Sequence, residues 1–144
     1  MRPITLAMDL EGTLISNAVS QIPRPGLYRF LEAINDIFEF TVIYTTVPES
    51  VFRNIAQLLV REGSAPAWFA SIPYIDWQGP TKDLRNVCAI SGAVLLLDDH
   101  EPYIHPGQEG WWIEAPLFGF PYAEEDRGLE AVLGMIRTRL AESS

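Results

Sequence analysis

Apolar positions along the chain recur with two different periods. Residues 4–8, Ile-Thr-Leu-Ala-Met, form a short apolar run that stops at Asp9, a pattern that predicts a buried strand. A polar stretch follows through Pro23 and Pro25, and Pro25 stands where the first turn of a helix tolerates proline. From there Leu27, Phe30, Leu31, Ile34 and Phe38 recur at helical spacing. Phe40 to Tyr44 is β-branched and aromatic, which predicts a second strand ending at Thr45 and Thr46. Pro48 and Glu49 open a second helix with Val51, Phe52, Ile55, Leu58 and Leu59 on its inner face, and Gly63 to Pro66 closes it. Residues 67–79 are aromatic and irregular, with a short strand expected at Trp68–Ala70. Gly79-Pro80-Thr81 reads as the start of a short helix running to about Ile90, with Cys88 packed on it. Ala93 to Leu97 is an uninterrupted apolar run, as in a strand covered on both faces, and it ends at Asp98-Asp99. A last strand is expected at Trp111–Glu114 and a closing helix over 124–141. Leu129, Val132, Leu133, Ile136 and Leu140 share one face of that helix, and Glu124-Glu125-Asp126 would form its acidic N-terminus.

Strands alternating with helices imply right-handed crossovers and a mainly parallel sheet with helices on both sides. The fold class expected is therefore α/β, a Rossmann-like three-layer sandwich, with residues 1–144 as a single domain. Composition changes this picture only by exclusion. The formal charge of −9 repels a phosphate backbone, so nucleic acid and anionic membranes are disfavoured partners. The lone Cys88 makes no internal disulfide, and no Cys/His cluster has zinc-ligand spacing. Asp9 interrupts the N-terminal apolar stretch too early for a signal peptide, and no run of about 18 apolar residues could span a bilayer. A cytoplasmic protein is expected.

In parallel α/β sheets, ligands bind at the carboxyl ends of the strands. Three expected strands end here in Asp9, in Thr45 and in Asp98-Asp99, so acidic and hydroxyl groups converge on one edge. In Asp9-Leu10-Glu11-Gly12-Thr13-Leu14, Asp9 can serve as a nucleophile. Glu11 can reach the same pocket as an acid or base, and Gly12 permits the turn between them. Carboxylates this close repel by about 4 kcal/mol at 4 Å and an effective dielectric near 20. A divalent cation offsets that repulsion, and hard oxygen ligands suit Mg²⁺. Lys82 is the only lysine among ten basic residues, and a compact point charge suits bridging a carboxylate and a phosphoryl group.

These residues together resemble the haloacid dehalogenase (HAD) superfamily. Asp9-Leu10-Glu11-Gly12-Thr13-Leu14 is similar to its first motif, Thr45 to its second, Lys82 to its third, and Leu97-Asp98-Asp99 to its fourth. Lys82-Asp83-Leu84 and Tyr103-Ile104-His105-Pro106 more specifically resemble the small CTD-phosphatase, or NLI-interacting-factor-like, branch. The resemblance implies an Mg²⁺-dependent phosphatase in which Asp9 forms an aspartyl-phosphate and Glu11 acts as acid and base. Asp9, Asp99 and the main-chain carbonyl of Glu11 would hold the metal, with Asp98 beside it or orienting Lys82. Thr45 and Lys82 would bind the phosphoryl oxygens.

Neither residues 15–24 nor residues 46–81 have room for a cap domain, so an open site able to take a macromolecular phosphoester, such as a phosphoprotein or peptide, is implied. Phosphatases of this family carry aspartate where Glu11 stands, and a misplacement of about 1 Å can cost about 100-fold in rate. The rival expectation is therefore a binding or regulatory module on the same fold with weak turnover. His100 and His105 are read as loop residues rather than ligands. The aromatic stretch Trp111, Trp112, Phe118, Phe120 and Tyr122 is read as core and edge covering in preference to a binding or dimer surface.

Overall fold

The computed structural model describes residues 2–143. Four strands form one sheet: β1 (Thr5–Met8), β2 (Phe40–Ile43), β3 (Val94–Asp98) and β4 (Trp112–Glu114). Their order is β2-β1-β3-β4 and every pairing is parallel. β1 and β3 occupy the centre and every residue in them is buried, which is why both read as unbroken apolar runs. The central register pairs Met8 with Leu97, so the residues that follow, Asp9 and Asp98, leave the sheet side by side.

Among the described residues, two α-helices connect strands, α1 (Leu27–Ile37) and α2 (Glu49–Arg61), and a third, α3 (Gly128–Glu142), follows β4. Their apolar stripes bury Leu27, Phe30, Leu31 and Ile34 from α1, Phe52, Ile55 and Leu59 from α2, and Leu129, Val132, Ile136 and Leu140 from α3. All of these join one core cluster with Leu6, Met8, Ile43, Leu95, Leu97 and Ile113. Alternation along the strands sends Ala7, Val42, Tyr44, Val94 and Leu96 to the opposite face. That face carries no α-helix among the described residues. It is covered by Ile75, Trp77, Leu84, Val87, Cys88, Ile104 and Trp111 from irregular segments. The α/β sandwich with a parallel sheet is thus present, with one of its outer layers reduced to loops and single turns rather than helices.

Three local expectations are corrected. The segment around Trp68–Ala70 is a 3₁₀ turn (Ala67–Ser71), because Phe69 turns inward to pack edge-on against Phe52, at 5.7 Å between ring centres. The strand-like contact falls instead at Tyr74, beside Ile43, where Ile43 N–H donates to Pro73 O at 2.8 Å. The helix expected up to Ile90 shrinks to one turn, Leu84–Asn86. Its polar groups take tertiary partners: Leu84 N–H donates to Gln108 Oε1, and Asn86 Nδ2 donates to the Tyr44 hydroxyl. Tertiary hydrogen bonds here outcompete a helical ladder that nothing else on that face would bury.

The closing helix begins at Gly128 rather than at 124, because Asp126 is engaged elsewhere. Its carboxylate accepts from Arg24 Nε at 2.7 Å and Nη2 at 3.3 Å, and from Gly128 N–H at 3.0 Å. The Arg24 side chain is fully buried, donates also to Thr13 O at 3.1 Å, and stacks over the Phe118 ring. A Cβ at position 128 would collide with this guanidinium, so the glycine is a packing requirement. Arg24 therefore ties the loop after β1 to the start of α3. Burial by itself raises the Asp126 pKa, but Arg24 and the Gly128 N–H outweigh it and hold the carboxyl below its ordinary value. Stabilisation from a depressed carboxyl is complete above the unfolded-state pKa and is lost as pH falls through the folded one. Asp126→Asn, which leaves the Arg24 charge buried without its partner, is expected to lower unfolding free energy by about 3 kcal/mol near pH 7. In denaturant melts the gap to wild type should narrow towards about pH 3; a gap that widens in acid would contradict the assignment.

Candidate active site

The loop after β1 is shaped by where its apolar residues go. Leu10, Leu14 and Ile15 are fully buried, and Leu14 N–H donates back to Leu10 O at 2.9 Å. This tight turn requires Gly12 at φ +75°, and a Cβ there would stand 2.8 Å from Asp99 Oδ2. With Leu10 and Leu14 committed to the core, Asp9 and Thr13 meet at the strand ends. Thr13 Oγ1 lies 3.0 Å from Asp9 Oδ2 and 2.9 Å from Asp99 Oδ1.

Lys82 arrives from the opposite side. Its backbone pairs with Tyr103–Ile104, with Lys82 N–H donating to Tyr103 O at 2.7 Å, and its ammonium lies 5.0 Å from the centre of the Tyr103 ring. The fully buried Nζ donates to Asp9 Oδ1 at 3.0 Å and to Asp98 Oδ2 at 2.6 Å. The other oxygen of Asp98 accepts from His100 N–H at 2.9 Å. Asp9, Asp98 and Asp99 each offer a carboxylate oxygen, and these oxygens lie within 4.8 Å of one another.

Charge in this cluster is unbalanced. Burial raises the pKa of Asp9 well above its ordinary value, and Asp98 and Asp99 push it further up while Lys82 opposes them. Asp98 is raised by burial as well, again against the pull of Lys82. Burial disfavours the Lys82 ammonium, but the two carboxylates outweigh that, and its pKa rises. The ammonium is therefore the fixed charge of the site. One threonine hydroxyl carries one proton, so Thr13 can donate to only one of its two carboxylate neighbours. Three carboxylates against one ammonium leave a surplus of negative charge on clustered hard oxygen donors, which fits a divalent cation such as Mg²⁺.

The remaining candidates are placed as follows. Thr45 is buried at the end of β2's extension, where Oγ1 accepts from Val47 N–H at 3.2 Å and the carbonyl accepts from Trp77 Nε1 at 2.8 Å. Because Oγ1 accepts in that bond, its own proton remains to be donated. Glu11 is partly buried and stands outside the carboxylate cluster: its Oε2 accepts from Ala18 N–H at 2.7 Å, tying it to the following loop. His100 and His105 are not among the clustered donors. His105 instead braces Asp83, with Nδ1 2.7 Å from Thr81 Oγ1 and Nε2 3.5 Å from Asp83 Oδ2. The sequence places Thr13 and Tyr103 inside recognisable motifs without giving either a role, and it does not single out Arg24. A hydroxyl four residues after Asp9 in a turn forced by Gly12 was the available signal for Thr13; Tyr103 and Arg24 had none.

The model of the NLI interacting factor-like phosphatase family matches residues 4–144. The chain belongs to that family. No curated protein matches it by sequence. Among solved structures it is similar to Fcp1, described as an essential RNA polymerase II CTD phosphatase, with a TM-score of 0.61 and 16% identity over 98% of this chain and 52% of that one. A second similar structure, of a fission yeast Fcp1 variant bound to beryllium fluoride, has a TM-score of 0.57 and 16% identity over 99% of this chain and 52% of that one. The chain thus spans about half the length of the structures it resembles. At this identity the likeness establishes the fold, which is HAD-like, with no cap between Thr45 and Lys82.

The ammonium at the centre of the site gives a direct test of this electrostatic account. Lys82→Met leaves Asp9 and Asp98 buried without their cation and is expected to lower stability by about 3–5 kcal/mol. Adding Asp98→Asn in that background should recover at least about 1 kcal/mol of the loss in a double-mutant cycle read by chemical denaturation. Strictly additive effects would mean that the contact carries little energy.

Proposed function

We propose that this chain is a divalent-metal-dependent phosphomonoester hydrolase working through an aspartyl-phosphate on Asp9. The observation that carries the reading is the buried Lys82 ammonium, bonded to both Asp9 and Asp98 inside a three-carboxylate cluster. An acidic pocket with one fixed positive charge accepts a phosphoryl group only with a further cation. Asp9, Asp98, Asp99 and the Glu11 main-chain carbonyl would be the oxygen donors for Mg²⁺, which when bound would supply charge neutralisation at the phosphoryl oxygens. Asp98 makes the shorter of the two ion pairs to Lys82, 2.6 Å against 3.0 Å for Asp9, so it chiefly orients Lys82.

In the first step an Asp9 carboxylate oxygen bonds to phosphorus as the bond from phosphorus to the ester oxygen breaks, and Glu11 gives that oxygen its proton. In the second, water bonds to phosphorus, its proton goes to Glu11, and the bond to Asp9 breaks to release inorganic phosphate. Lys82 and the Thr45 hydroxyl stabilise charge on the phosphoryl oxygens through both steps. Ala18 N–H holds Glu11 through Oε2, which leaves Oε1 to carry the transferred proton. The longer acid thus has its own anchor in the loop, which supports a role that uses its extra reach.

Residues 1–144 act as one HAD-like domain. The capless mouth leaves room for a phosphate on a macromolecule such as a phosphoprotein, and the −9 charge speaks against nucleic acid. Among the described residues no helix is long and apolar enough to cross a membrane. A cytoplasmic setting suits the single free thiol of Cys88.

Hydrolysis of an aryl phosphate should require Mg²⁺, cease with a chelator, and fall at least about 10³-fold in Asp9→Asn of native stability. Turnover retained in that variant would refute the nucleophile. Glu11→Asp, too short to keep the Ala18 anchor, is expected to slow turnover by about 10–100-fold. A gain in rate would favour the rival reading, a binding module whose Glu11 is turned into the loop.

A further inference from the structure

We infer that His105 and Gln108 are positioning residues that fix Lys82 in the site by gripping the residues on either side of it. The inference rests on the phosphatase reading, in which Lys82 acts on the phosphoryl oxygens, and adds what holds that group in place. Residues 81–84 deliver the lysine without a regular element of their own: a lone parallel bridge, Lys82 with Ile104, precedes the single turn Leu84–Asn86. Four consecutive residues are nonetheless each tied to the 103–108 segment. Thr81 Oγ1 lies 2.7 Å from His105 Nδ1. Lys82 N–H donates to Tyr103 O at 2.7 Å. Asp83 Oδ1 accepts from Gln108 Nε2 at 2.9 Å, and His105 Nε2 stands 3.5 Å from Asp83 Oδ2. Leu84 N–H donates to Gln108 Oε1 at 2.8 Å.

The need for such a grip follows from what Lys82 must do. Its ammonium sits at the end of a flexible four-carbon stem, and it serves the site only where it reaches Asp9 and Asp98 at once, at 3.0 and 2.6 Å. A helix or central strand would hold the backbone beneath that stem through its own hydrogen-bond ladder. Here the side chains of another segment stand in for the ladder. Arg85 also binds Asp83, but that pair lies within one short turn and ties Asp83 only to its own segment. His105 and Gln108 reach across from a segment more than twenty residues further on, so they set where the turn lies relative to the sheet. Their side-chain hydrogen bonds run to Thr81, Asp83 and Leu84 and not to the clustered carboxylates, so their influence on turnover passes through the lysine.

Lys82 is the only lysine, so protein grown on ¹³C,¹⁵N-lysine shows one labelled side chain by NMR. In the wild type, without metal or substrate, that side chain should give a single signal displaced from the free-lysine position by the Tyr103 ring, 5.0 Å from Nζ. In His105→Ala and in Gln108→Ala the signal should move towards the free-lysine position, and the ammonium protons should exchange with water at least about tenfold faster. Hydrolysis of phenyl phosphate with Mg²⁺ by these variants should lose about tenfold in kcat while KM stays within about twofold, as expected for a displaced group rather than a lost binding contact. His105→Asn, which can keep the contact with Thr81, should recover most of that loss. Thr81→Val breaks the same contact from the other side at nearly constant volume, and it carries the test if His105→Ala does not fold.

A lysine signal that stays unchanged in these variants would overturn the grip. So would a signal that moves while kcat holds, since the contacts would then serve stability alone. The NMR reading needs no turnover, which separates this inference from the phosphatase reading. A wild type that hydrolyses nothing, with a lysine signal that moves in the variants, would sink the hydrolase and keep the grip on Lys82. Turnover that is lost in Asp9→Asn, with signal and kcat both untouched by His105→Ala and Thr81→Val, would keep the hydrolase and sink the grip.

Discussion

Two carboxylates on adjacent central strands repel each other, and the molecule is organised around the ammonium that holds them. Parallel strands run about 5 Å apart, and the register that pairs Met8 with Leu97 carries Asp9 and Asp98 out of the sheet together. At that separation their repulsion is about 3 kcal/mol at an effective dielectric near 20. Burial makes it worse, because neither charge is well hydrated. Lys82 Nζ, between them and fully buried, offsets both penalties. The helix-poor face of the sheet is explained by this demand. Its irregular segments deliver Lys82 from one side and Tyr103 from the other, joined by a single parallel bridge, instead of a helix that would cover the sheet but reach nothing beyond it.

A second support works through Thr13. Its hydroxyl contacts Asp9 and Asp99, and its carbonyl is gripped by Arg24, which is paired with Asp126 at the start of α3. The C-terminal helix thereby braces the loop that carries the proposed nucleophile. Arg24 also lies over the Phe118 ring, so one buried guanidinium links the floor of the site to the segment after β4. This explains why position 128 must be glycine even though glycine weakens a helix by about 1 kcal/mol relative to alanine.

The elements legible from the sequence were those with a strong apolar period. β1, α1, β2, α2 and β3 fall within a residue or two of where the pattern puts them. The turns at Ala67–Ser71 and Leu84–Asn86 did not, because their form is set by partners distant in sequence: Phe52 for one, Gln108 and Tyr44 for the other. The same division runs through the site. Asp9, Asp98 and Asp99 announce themselves as acids at the ends of apolar runs, and Lys82 as the only lysine. Nothing local marks Tyr103 as the ring beside that lysine, or Arg24 as the brace. The aromatic stretch is expected as core and edge covering, and Phe118 is buried with Trp111, Trp112 and Tyr122 half-buried, yet Phe120 faces water, since composition does not say which side of a loop turns inward.

Sequence alone determined which chemistry was available and on which edge it would gather. A parallel α/β sheet places all its strand ends together, and Asp9, Thr45, Asp98 and Asp99 stand at strand ends while Lys82 is the only lysine. Tertiary structure decided how those groups are charged and what they touch. The raised pKa of Asp9, the anchoring of Glu11 to Ala18 and the contact of His105 with Thr81 each depend on burial or on contacts between separate segments of the chain. Burial and proximity are properties of the packed molecule, and no local pattern of residues encodes them.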